Sequence, residues 1–161
     1  MAPIPVLSAL ELSAFVVFFV VGTALAVVDL RTFLLPDRLL LPGLALVFGL
    51  LATAAVIGDF ARLDSAISAA CLNTILHLGL HLANKNALGF GDVKLAALIG
   101  LVTGWVGLQV WVYAAVGAFI LSGIAVFVLL LLRIANRNTA IAFGPFMILA
   151  AFSVIAIPLS T

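Results

Sequence analysis

Charge is what this chain has least of. Only 8% of its 161 residues are Asp, Glu, Lys or Arg, where soluble domains carry about 25%. With 66% hydrophobic residues and a mean hydropathy of +1.44, that scarcity excludes an ordinary soluble domain and predicts one compact unit, residues 1–161, in a lipid bilayer. The net charge of +1 leaves no basic face for nucleic acid and no acidic tail for a basic partner. A single cysteine, Cys71, excludes an intrachain disulfide and any zinc site of several thiolates. Cys71 reads as a small buried apolar residue of a helix. Internal repeats, linkers and low-complexity segments are absent as well. Nothing before Arg31 is basic, so Thr23-Ala24-Leu25-Ala26 lacks the positive region that a secretory leader requires. The first apolar run therefore reads as a permanent span.

What is there is long apolar runs. A membrane-spanning helix needs roughly 20 apolar residues. Residues 12–28, 39–58, 65–83 and 139–158 qualify, the last interrupted by Gly144-Pro145. Residues 95–132 form an uncharged run of 38, too long for one helix. Gly104-Trp105-Val106-Gly107 offers a turn, which splits it into spans at 92–103 and 108–132. The expected fold is all-α and polytopic, with about six transmembrane helices. The fourth span is short, since twelve helical residues cover only about 18 Å of a core roughly 30 Å thick. Either its helix starts below the membrane surface or the glycine turn lies inside. Irregular backbone at that depth is tolerated only inside protein or beside a wet cavity.

Charge asymmetry predicts orientation. Arg31, Arg38, Lys85, Lys94, Arg133 and Arg137 lie at the loops after spans one, three and five, against Arg62 alone on the other side. Six against one places those loops in the cytoplasm and both termini outside it. Asp29, Asp37 and Asp92 then fall on the cytoplasmic side, and Glu11, Asp59 and Asp64 opposite.

Carboxylates at a span boundary are costly and mark functional sites. Asp29 closes the seventeen-residue uncharged run 12–28, and Asp92 ends Gly89-Phe90-Gly91-Asp92. Hydrolysing a peptide without a metal or a nucleophilic side chain needs a base for water and an acid for the leaving amine. Two close carboxylates supply both by sharing a proton, and protonation then belongs to the pair. The glycines free the backbone for unusual dihedrals and for close approach of a substrate strand. The plainer reading of Asp92 is a helix cap after a flexible turn. A cap alone, however, does not require a span boundary facing another acid. A second class stays open: a non-enzymatic transporter or scaffold whose acids handle protons or ions. A proton path would place its acids at mid-span rather than in a loop at one face.

Three segments resemble one family. Asp29-Leu30-Arg31-Thr32-Phe33-Leu34-Leu35-Pro36-Asp37 is similar to the first signature of type IV prepilin leader peptidases. Gly89-Phe90-Gly91-Asp92-Val93-Lys94 resembles their second, Gly-x-Gly-Asp-x-Lys, and Ala142-Phe143-Gly144-Pro145-Phe146 their last-span Pro-Phe-Gly-Pro-Phe. Arg31 stands where the family often carries a second acid. The resemblance implies an intramembrane aspartic endopeptidase of the bacterial inner membrane, without cofactor, cleaving prepilins or pseudopilins after a glycine at the cytoplasmic face. It implies a catalytic pair of Asp29 and Asp92. The long forms add a segment with paired Cys-x-x-Cys motifs and methylate the new N-terminus. This chain carries no such cysteines, so a peptidase-only short form is expected.

Residues around the pair complete the expected site. Gly89, Phe90 and Gly91 form the substrate loop, and Lys94 either biases Asp92 and the substrate electrostatically or anchors the interface. Pro36 and Asp37 open the second span, with Asp37 as its cap. Gly144-Pro145 is read as a kink, shaping either a substrate groove or simple packing. His77 and His81, at i and i+4, share a helix face as metal ligands can, but no third ligand is placed beside them. No metal is therefore expected. Asn73, Asn84 and Asn86 are expected to satisfy polar groups near the site or its loop.

Overall fold

The computed structural model describes residues 8–83, 88–133 and 142–156, all organised around six helices. Asn84, Lys85, Asn86 and Arg137 lie outside the described residues. α1 (Ala9–Thr32) is opened by a capping box. The Ser8 hydroxyl accepts the Glu11 N–H at 3.3 Å, and the Glu11 carboxylate accepts the Ser8 N–H at 2.7 Å. Phe33, in the left-handed conformation at φ 53°, ends α1 by donating its N–H to Asp29 O at 2.9 Å. After a short turn come α2 (Asp37–Ile57) and α3 (Phe60–Ala83), then α4 (Phe90–Val106), α5 (Leu108–Leu131) and α6 (Gly144–Ala156). Four of these, α1, α2, α3 and α5, are long and apolar enough to cross a membrane; α4 and α6 are apolar but shorter.

Two helices differ from the sequence reading. The fourth runs 17 residues rather than twelve, because it starts at Phe90 rather than Asp92 and because Gly104 stays helical, so that the break waits until Gly107. Phe90 and Gly91, expected in a loop, thus open α4 behind the N-cap Gly89. The last helix begins at Gly144, so Gly144-Pro145 opens it instead of kinking it. Proline suits a first turn, where its missing N–H would have had no partner. Cys71 is also corrected: it is exposed on α3, where it lines an apolar cavity of about 380 Å³ with Leu41, Phe48, Ala97 and Leu101. A thiol in a lipid-facing wall needs no burial inside protein to stay dry.

α4 is the centre of the bundle, with twelve of its seventeen residues buried. α3 is its tightest neighbour, because glycine lets the two backbones touch. A Cβ on Gly100 would stand 2.7 Å from Ala69 O, and one on Gly104 would stand 2.8 Å from Ser65 O. Polar side chains of α3 then fasten the antiparallel pair to carbonyls on the α4 side. Ser65 Oγ donates to Gly104 O at 2.9 Å, Asn73 Nδ2 to Ala96 O at 2.8 Å, and His81 Nδ1 to Leu88 O at 2.7 Å. α6 is held along α1 by Phe152, whose ring lies 5.4 Å from that of Phe18 and 4.3 Å from that of Phe19. α5 buries only Val110, Ala114 and Ala118 and turns Ile120, Phe127 and Leu131 outward, as a lipid-facing helix should.

Candidate active site

Asp29 stands one turn before the end of α1, and Asp92 in the first turn of α4. Both are buried, 4% and 7% exposed, at the end of the bundle where the α1–α2 turn meets the Gly89-Phe90-Gly91 start of α4. The two carboxylates lie within electrostatic reach of each other. Asp92 Oδ2 accepts the Gly89 N–H at 3.1 Å, which fixes the first turn of α4 and leaves the second oxygen for other work. The capping role weighed for Asp92 is therefore present, and it coexists with the acid pair. Asp29 Oδ2 is buried against the start of α6, where the Gly144 N–H supports the carboxylate, and it makes no well-formed hydrogen bond among the described residues. A buried carboxylate oxygen so weakly satisfied is costly and has capacity for a ligand or a proton.

The start of α6 packs on Asp29. A Cβ at Gly144 would lie 2.6 Å from Asp29 Oδ2 and 3.4 Å from Leu95, one turn along from Asp92. Only a residue without a side chain lets the acid and the α6 backbone share that space. Gly91 plays the same part for the α1–α2 turn, since a Cβ there would lie 2.8 Å from that of Leu35. That contact draws the two sequence signatures together. Pro145 follows Gly144 within the first turn of α6.

The remaining expected residues divide. Asp37 does not cap α2: Pro36 holds the N-cap position, and no side chain bonds the free amides there. Asp37 instead takes Lys94 Nζ on both oxygens, at 2.6 and 2.7 Å, because the turn brings the start of α2 over that of α4. Lys94 also stands 5.2 Å above the ring of Phe90, which is exposed. Its partner is thus Asp37, one step removed from the buried acids. Asn73 is buried and divides its amide, Nδ2 serving Ala96 and Oδ1 finding no partner among the described residues.

His77 and His81 share a face of α3 but not a ligand. His77 Nδ1 donates to Asn73 O at 2.8 Å, while its ring stacks 5.8 Å from Phe119 and lies 5.9 Å from Phe143. Among the described residues, no group of three His, Cys, Asp or Glu side chains is placed to hold a metal.

Sequence reasoning missed a second polar centre at the opposite end. Glu11 is buried at 5% exposure, where it pairs with Arg62 and accepts the Trp105 indole N–H at 2.9 Å. The Arg62 guanidinium sits 5.1 Å over the Trp105 ring. The signal was available: Arg62 is the lone basic residue of that side.

The fold and the buried pair define a polytopic helical membrane protein with two acids at one end of the bundle. The chain belongs to the type IV leader peptidase family, whose sequence profile matches residues 16–159. It is 35% identical over 138 residues to a prepilin leader peptidase/N-methyltransferase of Aeromonas hydrophila, covering 80% of this chain and 44% of that protein. A protein of the same description from Pseudomonas aeruginosa is 35% identical over 136 residues, with the same coverage. One from Escherichia coli is 34% identical over 142 residues, covering 86% of this chain and 60% of its own length. The chain thus spans about half the length of the curated relatives it matches. No solved structure matches it.

Proposed function

We propose that this chain is an aspartic endopeptidase of the bacterial inner membrane that removes the leader from prepilins or pseudopilins at the cytoplasmic face. The observation that carries the reading is that Asp29 and Asp92, brought from two helices, are both buried and within electrostatic reach of each other. Buried like charges coupled in this way resist ionising together, so the pair can hold a base and an acid at once. The base form takes a proton from water as its oxygen bonds to the scissile carbonyl carbon. The acid form gives its proton to the amide nitrogen as the C–N bond breaks, yielding a carboxyl group and an amine. Protons and electrons balance within the pair and the water.

Substrate follows from where the acids sit. They lie at the end of the bundle, so a scissile bond reaches them at the start of an apolar helix rather than within it. A glycine before that bond lets the strand unwind and lie against the Gly89-Phe90-Gly91 backbone. Relatives of this family are described as joining peptidase and N-methyltransferase activities. For residues 1–161 we assign the peptidase activity, carried by a single membrane domain with both termini away from the cytoplasm.

The test is co-expression with candidate prepilins, following loss of the leader by mass. Asp29→Asn and Asp92→Asn keep shape and remove the proton chemistry, so each is expected to abolish cleavage while the protein stays in the membrane. General acid–base groups contribute about 10²- to 10⁴-fold, so a loss of at least that order is expected. Full processing by either variant overturns the pair.

A further inference from the structure

The contacts between α3 and α4 form a ladder. Ser65 meets Gly104, Ala69 meets Gly100, Asn73 meets Ala96 and His81 meets Leu88. Each full rung steps four residues up α3 and four residues down toward the start of α4. One rung is unfilled between Asn73 with Ala96 and His81 with Leu88. The residues that belong to it are His77 and Asp92.

Three observations give that rung a function. His77 is 1% exposed, yet its Nε2 has no hydrogen-bond partner among the described residues. Its Nδ1 faces Asn73 O, a carbonyl that only accepts, so Nδ1 carries the proton and the neutral ring keeps a lone pair on Nε2. Its ring lies against Phe143, the residue before Gly144, and Gly144 in turn abuts Asp29. That chain of contacts sets His77 at the acid end of α3, where its Nε2 and the neighbouring Asn73 Oδ1 are buried without a partner among the described residues. A buried polar atom left unpaired is costly, so Nε2 kept in that state beside the acid end points to a ligand there.

We propose that His77 is a positioning residue for the peptidase reaction, its Nε2 accepting a hydrogen bond from the attacking water held by Asp29 and Asp92. The inference rests on the peptidase reading above. A lone pair at that point orients the water's second hydrogen away from the scissile carbon and turns its oxygen toward it. The carboxyl pair still does the proton transfer. The ring's place between Phe119 and Phe143 limits how far Nε2 can swing.

The experiment replaces the ring without its nitrogens. His77→Phe keeps the aromatic stack, and the Asn73 carbonyl keeps its helical N–H donor. We expect kcat for prepilin cleavage to fall on the order of 10²-fold with KM little changed, as misplacement of a reacting group does. His77→Gln, whose amide reaches the place of Nε2, recovers part of the loss. If His77→Phe fails to accumulate in the membrane, His77→Met serves as the apolar variant, since methionine adapts to irregular space. A double-mutant cycle with Asp92→Asn, read as Tm in detergent, needs no cleavage and is expected to be non-additive. An apolar variant that accumulates normally and keeps kcat within twofold overturns the proposal, as does strict additivity of the Tm shifts. Either result leaves the acid pair standing. Cleavage by Asp29→Asn sinks the pair itself.

Discussion

At the scale of single residues, the site is shaped by one glycine and one ion pair. Gly144 has no room for a methyl group: its Cβ would stand 2.6 Å from Asp29 Oδ2, far inside contact distance. Gly144→Ala must therefore push the carboxylate or the start of α6 aside. Overpacking of this kind costs about 1–3 kcal/mol, and a displaced reacting group costs on the order of 10² in rate. We expect the variant to remain membrane-inserted and lose most of its prepilin cleavage in single-turnover assays. Cleavage within threefold of the parent would mean that Asp29 tolerates displacement. Asp37 is the contrasting case. Its pair with Lys94 has a half-exposed carboxylate, and such pairs are worth about 0–1 kcal/mol. Asp37→Ala is expected to shift Tm little and to retain partial activity, because it touches the site only through Lys94 and the turn. Loss as complete as that of Asp92→Asn would promote Asp37 to the chemistry.

Among the helices, the end opposite the acids is held by Glu11 of α1, Arg62 of α3 and Trp105 of α4. The cluster joins three helices whose other ends carry Asp29, His77 and Asp92. Arg62→Ala leaves a buried carboxylate without its counter-charge. Breaking such a pair costs about 3–5 kcal/mol, and Arg62, about a third exposed, belongs at the low end. Glu11→Gln removes the charge but keeps an acceptor for Trp105, so its Tm loss is expected to be the smaller of the two. The reverse order, measured by thermal unfolding in detergent, would show that the guanidinium contributes packing rather than charge. This end also shows what a sequence yields and withholds. Apolar runs announced the helices, because hydropathy over twenty residues is a local property. Asp29 and Asp92 were legible for the same reason, as isolated acids at run boundaries. The start of α6 was misplaced because a proline in an apolar run reads equally as a kink or as a first turn. The pairing of Asp37 with Lys94 and of Glu11 with Arg62 depends on helix register, which no local pattern carries.

For the whole molecule, function depends on which way the bundle faces. Asp29, Asp92, the Gly89-Phe90-Gly91 start of α4 and the Asp37–Lys94 pair of the proposed site gather at one end, while Glu11, Arg62 and Asp59 mark the other. Basic residues number six at the loops on the acid side against one opposite, and that bias sets orientation in the bilayer. The acids are therefore expected to face the cytoplasm, where an unfinished secreted subunit still carries its leader. Two exposed positions report the two ends: Leu34 in the α1–α2 turn and Asp59 between α2 and α3. In a Cys71→Ala background, which removes the single native thiol, Leu34→Cys and Asp59→Cys give one label each. An impermeant maleimide added to intact spheroplasts should modify Cys at 59 and spare Cys at 34. Inverted vesicles should reverse the pattern. Cys71 lines an apolar wall, so removing it should leave insertion and cleavage unaffected. Labelling of Cys at 34 from outside intact cells would turn the site toward the wrong compartment. It would then exclude leader removal before export, even if the acid pair itself proved hydrolytic.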